Sequence, residues 1–237
     1  MFLQYCKVNR RAPLYMVLWQ LGFFVFGLAM VLIINSFFND DKDFACMGAL
    51  FALIATAIGG LARGNTTLST RFSLAVSMGQ TRRSFLLWDT AITFLVCLLG
   101  MVTAWGFYRL ELLLYGALYP GYENGMPLDV VYQWKILLPA ALVLSVATLV
   151  FGALQLRFGL KGFGTVWLVV WAGCMVIPRA VDAALDGGAS LLARIGGGIL
   201  WVAHTLPPAV WAGLGGAALL ALTVWSFRYF WRAAVKL

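Results

Sequence analysis

Few side chains in this 237-residue sequence are of types that do chemistry, and their spacing argues against several kinds of site. His204 is the only histidine and has no cluster of carboxylates or cysteines around it, so we predict no metal site. The four cysteines lack C-x-x-C spacing and are expected to be small buried residues. A disulfide between Cys46 and Cys174 is the weaker alternative.

Nucleotide-binding and hydrolase motifs are missing from the sequence. A Walker motif needs G-x-x-x-x-G-K-[ST], and the nearest candidate, residues 159–164, has its lysine at the wrong position. An intramembrane enzyme would need a nucleophile–base pair or paired carboxylates within the membrane, and one histidine without G-x-S-x-G makes that improbable. We therefore predict that the chain is not an enzyme and holds no cofactor of its own.

Asp89 is the one ionisable residue inside a long apolar run, about one turn from its start. An ionisable group at that depth in the membrane is by default a candidate functional site. The alternative is a first-turn carboxylate favoured by the helix dipole and close to Arg82 or Arg83. Both interpretations of Asp89 stay open at the level of sequence.

The amino-acid composition indicates the class of protein to which the chain belongs. Hydrophobic residues make up 62% and charged residues 11% of the chain, against about 45–50% and about 25% in soluble domains. Its apolar runs are continuous, whereas the strands of a membrane barrel would alternate. The sequence therefore predicts an all-α membrane protein.

Six membrane-spanning helices are predicted within one transmembrane domain, residues 1–237. Their lengths follow from the roughly 30 Å of hydrocarbon and the 1.5 Å rise per residue. The six predicted spans are residues 14–34, 44–62, 85–108, 136–156, 162–178 and 209–227. Pro207-Pro208 separates the last span from an external helical element, residues 179–206, which lies on the surface or re-enters the membrane.

The distribution of basic residues predicts the orientation. With the N-terminus inside, twelve of the seventeen Lys and Arg residues are cytoplasmic, and eight of the nine acids are external. Both termini are then cytoplasmic. The formal charge of +8 is explained by this topology and by contact with anionic membrane lipid, so no nucleic-acid partner is expected.

The cytoplasmic segment 63–84 is the most informative stretch of the chain. Within it Leu68, Phe72, Ala75 and Val76 recur at helical spacing. This predicts an amphipathic helix on the membrane surface, with apolar side chains available to a partner. It is either an interfacial helix with snorkelling arginines or a docking helix that enters a groove on a soluble motor subunit.

Residues 71–85, R-F-S-L-A-V-S-M-G-Q-T-R-R-S-F, carry a family resemblance. They are similar to the segment before the third span in small bacterial ABC transporter permeases of the type-2 export family, where it ends the coupling helix. That family also has six spans with both termini inside, an amphipathic N-terminal stretch, matched here by residues 2–13, and external helices between spans five and six. The resemblance covers the whole chain in layout but about fifteen residues in sequence.

The resemblance implies a function and a set of partners. A separate ABC ATPase would bind ATP and Mg, and this chain would couple its hydrolysis to export of an amphiphilic peptide, drug or lipid-like substrate across the bacterial plasma membrane. The chain would pair with a second copy or a sister permease. The residues implied in coupling to the ATPase are Arg71, Phe72, Ala75, Ser77, Met78, Gly79, Thr81, Arg82 and Arg83.

A secondary transporter or the substrate-capture subunit of an uptake system is the alternative. Either would use ionisable or discontinuous sites at the middle of the membrane, and the sequence offers little beyond Asp89.

Overall fold

The described part of the chain is mostly helical, with one short pair of strands and a few turns. A computed structural model describes residues 9–37, 43–44, 46–64, 71–72, 75–76, 81–118, 123–124, 128–186, 190–205 and 207–232. Its long helices are α1 (Ala12–Phe37), α2 (Met47–Arg63), α3 (Arg82–Leu118), α4 (Trp134–Leu185), α5 (Leu191–Thr205) and α6 (Pro208–Arg232). Strands β1 (Asp43–Phe44) and β2 (Glu123–Asn124) pair in parallel.

Four helical segments in the described part of the chain are long and apolar enough to cross a membrane. They are Arg11–Ile34, Arg82–Leu118, Trp134–Gly159 and Ala209–Arg232. Each overlaps a span predicted from the sequence, so the predicted class, a helical multi-pass membrane protein, is confirmed. The count of six crossings and the sidedness of the termini stay predictions.

The two remaining predicted spans are helical but differ in kind from these four. Predicted span 44–62 corresponds to α2, a shorter apolar helix of 17 residues, which extends about 26 Å. Predicted span 162–178 lies within α4, after a break at Gly159. That glycine has φ 65° and ψ −155°, a backbone conformation that other residues rarely adopt.

Helix α3 continues ten residues beyond the predicted end of the third span. It has 37 residues and extends about 55 Å, so Arg109 and Glu111, expected in an external loop, are helical. The buried side chains explain the extension, because they recur three or four residues apart as far as Tyr115. They include Cys97, Met101, Ala104, Tyr108, Glu111 and Tyr115.

The chain divides into two compact units, residues 1–152 with 230–237 and residues 153–229. In the first unit, α1 buries a stripe at helical spacing, formed by Met16, Gln20, Phe24, Gly27 and Val31. Its other faces expose large apolar side chains, as lipid contact requires. The second unit holds the later part of α4, all of α5 and most of α6. Within the predicted external segment 179–206, residues 179–185 and 191–205 are helical.

Helices α1 and α2 approach so closely that only glycine fits at their contact. A Cβ atom added to Gly27 would lie 2.7 Å from both the Gly48 Cα and the Met47 carbonyl oxygen. Both atoms belong to the backbone, so a side chain at Gly27 would require the backbone to shift. Small residues at such contacts are the usual means of packing membrane helices, and here they bring the polar groups of α1, α2 and α3 within hydrogen-bonding distance.

Candidate functional site

A buried ion pair joins the end of α2 to the first turns of α3. The Arg63 guanidinium lies 3.5 Å from Asp89 Oδ1, and their side chains are 9% and 1% exposed. Arg63 Nε also donates to Thr93 Oγ1 over 3.1 Å. Neither oxygen of Asp89 has a hydrogen-bond partner in the described part of the chain, so its compensation there is the nearby positive charge, with Arg63 closest. The partner of Asp89 is therefore Arg63, and not Arg82 or Arg83 as the sequence suggested.

Asn9 connects this ion pair to Arg71 of the predicted coupling segment, the cytoplasmic residues 63–84. Its side-chain oxygen accepts hydrogen bonds from Arg63 Nη2 (3.3 Å) and Arg71 Nη1 (2.5 Å), and Asn9 itself is buried. Two cations thus share one neutral acceptor and one carboxylate. The segment before α1, the end of α2 and the coupling segment are held together by this cluster of polar groups.

Phe72, predicted to be available to a partner, is instead buried within the chain. It is 1% exposed and packs edge-on against Phe85, at 5.7 Å between ring centroids, and Phe230, at 5.2 Å. Phe85 lies in the first turn of α3 and Phe230 near the end of α6. Phe72 therefore anchors the coupling segment to two helices of its own chain.

Two further predicted coupling residues, Thr81 and Arg82, form hydrogen bonds at the start of α3 and to the end of α6. Thr81 Oγ1 accepts a hydrogen bond from Ser84 N over 3.3 Å, as a capping residue at the start of α3 does. Arg82 Nη1 donates to the Trp231 carbonyl over 2.7 Å, and Arg83 is exposed. Ala75 is partly buried. Ser77, Met78 and Gly79 lie outside the described residues.

A second polar cluster lies deeper, where α1, α2 and α3 meet. The Gln20 side-chain nitrogen donates to Thr56 Oγ1 (2.5 Å) and to the Gly100 carbonyl (2.7 Å), and Thr103 donates to the Gln20 side-chain oxygen. Gln20 and Thr56 are fully buried. Because both ends of the amide are bonded, this cluster fixes the three helices against one another without leaving an unsatisfied group.

A third cluster caps the first turn of α2. The Glu111 carboxylate, buried inside α3, accepts hydrogen bonds from Gly48 N (3.0 Å), Ala49 N (2.6 Å) and the Tyr115 hydroxyl (3.1 Å). The amides at a helix N-terminus attract negative charge. Glu111 therefore supplies the cap that α2 lacks locally, since Cys46 makes no side-chain cap bond.

Two tyrosines continue this cluster toward the start of α4. The Tyr132 hydroxyl donates to the Ala49 carbonyl over 2.6 Å, and its ring stacks on Tyr108 at 4.4 Å between centroids. Tyr108 in turn donates to Asp129 Oδ1. Burial raises the pKa of the Tyr132 phenol above its ordinary value, which keeps the hydroxyl protonated as a donor.

Several polar residues of these clusters were not assigned a role from the sequence, among them Asn9, Gln20, Arg63 and Glu111. Gln20 was visible as the only polar interruption of the first span. Glu111 follows Tyr108 and precedes Tyr115 at helical spacing, so the periodicity could have placed it on the buried face of α3. For Asn9 and Arg63 the sequence holds no comparable signal, because both resemble ordinary polar residues at a span border.

The clusters hold no metal-binding set. Among the described residues, no group of three or more His, Cys, Asp or Glu side chains could hold an ion. Cys46 and Cys97 are buried, as expected of small side chains, while the side chains of Cys6, Cys174 and His204 lie outside the described residues.

No protein-family model, curated protein or solved structure matches this chain. The resemblance of residues 71–85 to ABC export permeases therefore stays a prediction. What the geometry adds is how that segment is attached to the helices around it.

Proposed function

We propose that the chain is the transmembrane permease subunit of an ATP-driven ABC exporter. A separate ATPase would bind and hydrolyse ATP with Mg, and this chain would convert the resulting movement into release of an amphiphilic substrate, either a peptide, a drug or a lipid-like molecule. The chain would cross the bacterial plasma membrane six times with both termini in the cytoplasm, and would pair with a second copy or a sister permease.

The attachment of the coupling segment is the observation that carries this proposal. Phe72 is packed between Phe85 of α3 and Phe230 of α6, and Arg71 is bonded to the residue that also binds Arg63 of α2. A displacement of the segment would therefore act on three helices at once, because packed interiors transmit strain. A segment that only rested on the membrane surface would need no such internal anchor.

Co-isolation of the chain from its native membranes in mild detergent tests the proposal. We expect an ATPase with a P-loop to accompany the wild-type chain in stoichiometric amount. Phe72→Ala removes a buried aromatic side chain worth about 3–5 kcal/mol of packing, so severalfold less ATPase should be retained while the chain still inserts. Leu142→Ala, which shortens an exposed side chain on α4, should leave the ATPase bound. Reproducible isolation of the chain without any ATPase would refute the proposal.

A secondary transporter is the second candidate, and one buried acid favours it. Asp89 is 1% exposed within the membrane part of α3, where ionisable groups often mark ion pathways. Such a transporter would move substrate in vesicles without an ATPase, driven by an ion gradient. An ABC permease would need the ATPase and ATP in the same vesicles.

A further inference from the structure

A cavity of about 380 Å³ lies beside α3 in the first unit, at the far end of the helix from Arg82. Its walls carry three charged side chains, those of Arg109, Asp129 and Lys135, together with the indoles of Trp105 and Trp134. Its volume falls within the roughly 300–1,000 Å³ of ordinary small-molecule sites. Tyr108 and Tyr132, which continue the third polar cluster, also line this cavity, but nothing so far explains why charges and indoles meet there.

The position of the cavity along α3 indicates which part of the membrane surrounds it. From Arg82 to Trp105 and Arg109, α3 rises by about 35–40 Å, which is close to the full thickness of a bilayer with its headgroups. Trp134 and Lys135 begin α4 at the same end. Tryptophan and lysine are typical of the headgroup level. The cavity therefore opens among lipid headgroups, at the interface opposite Arg82.

The three charges in the cavity do not neutralise one another. No ion pair within 4.0 Å joins Asp129 to Arg109 or Lys135 in this described region. Arg109 lies over the Trp105 ring, 5.6 Å from its centroid, and Asp129 Oδ1 accepts the Tyr108 hydroxyl. The two cations and the carboxylate are thus held at separate positions around the cavity. Tyr108 bonds one oxygen of Asp129 and leaves the second oxygen to other partners.

We propose that this cavity binds the headgroup of a phospholipid that carries both a phosphodiester and a primary ammonium. The phosphate lies between Arg109 and Lys135, and the ammonium contacts Asp129 and the indole face of Trp134. The acyl chains follow the exposed apolar side chains Ile136 and Leu138 along the first turns of α4.

Charge complementarity selects this headgroup over simpler ones. A purely anionic headgroup would satisfy the two cations but would leave Asp129 without a cation in the cavity. A lone ammonium compound would meet Asp129 and be repelled by Arg109 and Lys135. Only a headgroup with both charges matches all three side chains, so we expect phosphatidylethanolamine to bind more tightly than phosphatidylglycerol.

Lipid binding to the purified chain tests the inference without any ATPase, so it succeeds or fails independently of the transport proposal. Native mass spectrometry in detergent, with added phosphatidylethanolamine or phosphatidylglycerol, measures the bound fraction of each. We expect the double variant Arg109→Gln/Lys135→Gln to bind phosphatidylethanolamine about tenfold more weakly or worse, since charged hydrogen bonds are lost. Asp129→Asn should abolish the preference for phosphatidylethanolamine over phosphatidylglycerol.

Matched variants distinguish a specific lipid-binding site from a general effect of protein charge on lipid binding. Asp129→Asn keeps an oxygen that can accept the Tyr108 hydroxyl, so its folding should be preserved, and thermal unfolding checks this. Arg179→Gln and Asp186→Asn remove exposed charges outside the cavity and should change neither affinity nor preference. Equal binding of the two lipids by the wild-type chain, or binding unchanged in both cavity variants, would overturn the inference.

Discussion

Replacing Arg63 with alanine is expected to destabilise the folded chain by about 3–5 kcal/mol, because it leaves Asp89 buried without its cation. The variant also loses the hydrogen bonds to Thr93 and Asn9. Unfolding in mixed detergent micelles, followed by circular dichroism, measures the change in free energy.

A double variant distinguishes the lost charge pair from lost packing. Arg63→Leu/Asp89→Leu removes both charges, so it should recover a large part of the stability that Arg63→Ala loses. Arg83→Ala removes an exposed arginine in the first turn of α3 and should change the free energy of unfolding by no more than about 0.5 kcal/mol. A double variant as unstable as Arg63→Ala would mean that the ion pair is not the reason Arg63 matters.

Glu111→Leu is expected to have an effect of similar size, because it leaves two amides at the start of α2 buried and unbonded. Each unsatisfied N–H costs about 1–3 kcal/mol, and the favourable interaction with the helix dipole is lost as well. The free energy of unfolding should fall accordingly. Hydrogen exchange should also become faster at the Gly48 and Ala49 amides, which a general loss of packing would not single out.

Tyr115→Phe provides the matched control for Glu111. It removes one hydrogen bond to the same carboxylate and leaves both amide bonds in place, so the expected loss is about 0.5–1.5 kcal/mol. If Glu111→Leu left exchange at Gly48 and Ala49 as slow as in the wild type, the capping role of Glu111 would be wrong.

Composition and apolar run length were enough to predict the class of protein and the positions of four helices that are long and apolar enough to cross a membrane. The reason is physical: in lipid, a backbone must satisfy its hydrogen bonds internally, so long apolar runs become helices. The end of α3 was less predictable. Arg109 and Glu111 resemble loop residues, and only the cap that Glu111 gives α2 makes its burial acceptable.

The candidate site was predictable in part. The sequence singled out Asp89 and the segment containing Arg71 and Phe72, and the structure places these near one another around Asn9, Arg63 and Phe85. The ionic partner of Asp89 could not be derived, since Arg63 is 26 positions away and only the packing of α2 on α3 joins them. The burial of Phe72 likewise depends on Phe230, at the other end of the chain.

The coupling of residues 77–78 to an ATPase is the central claim, and disulfide crosslinking tests it most directly. Ser77→Cys or Met78→Cys, in a chain otherwise free of cysteine, would be paired with single cysteines in the surface groove of the co-isolated ATPase. Ser190→Cys, on the predicted external segment, is the control. The account predicts a crosslink from position 77 or 78 that changes in yield when ATP is added, and none from position 190. Absence of any crosslink from 77 and 78 while the complex is intact would contradict it.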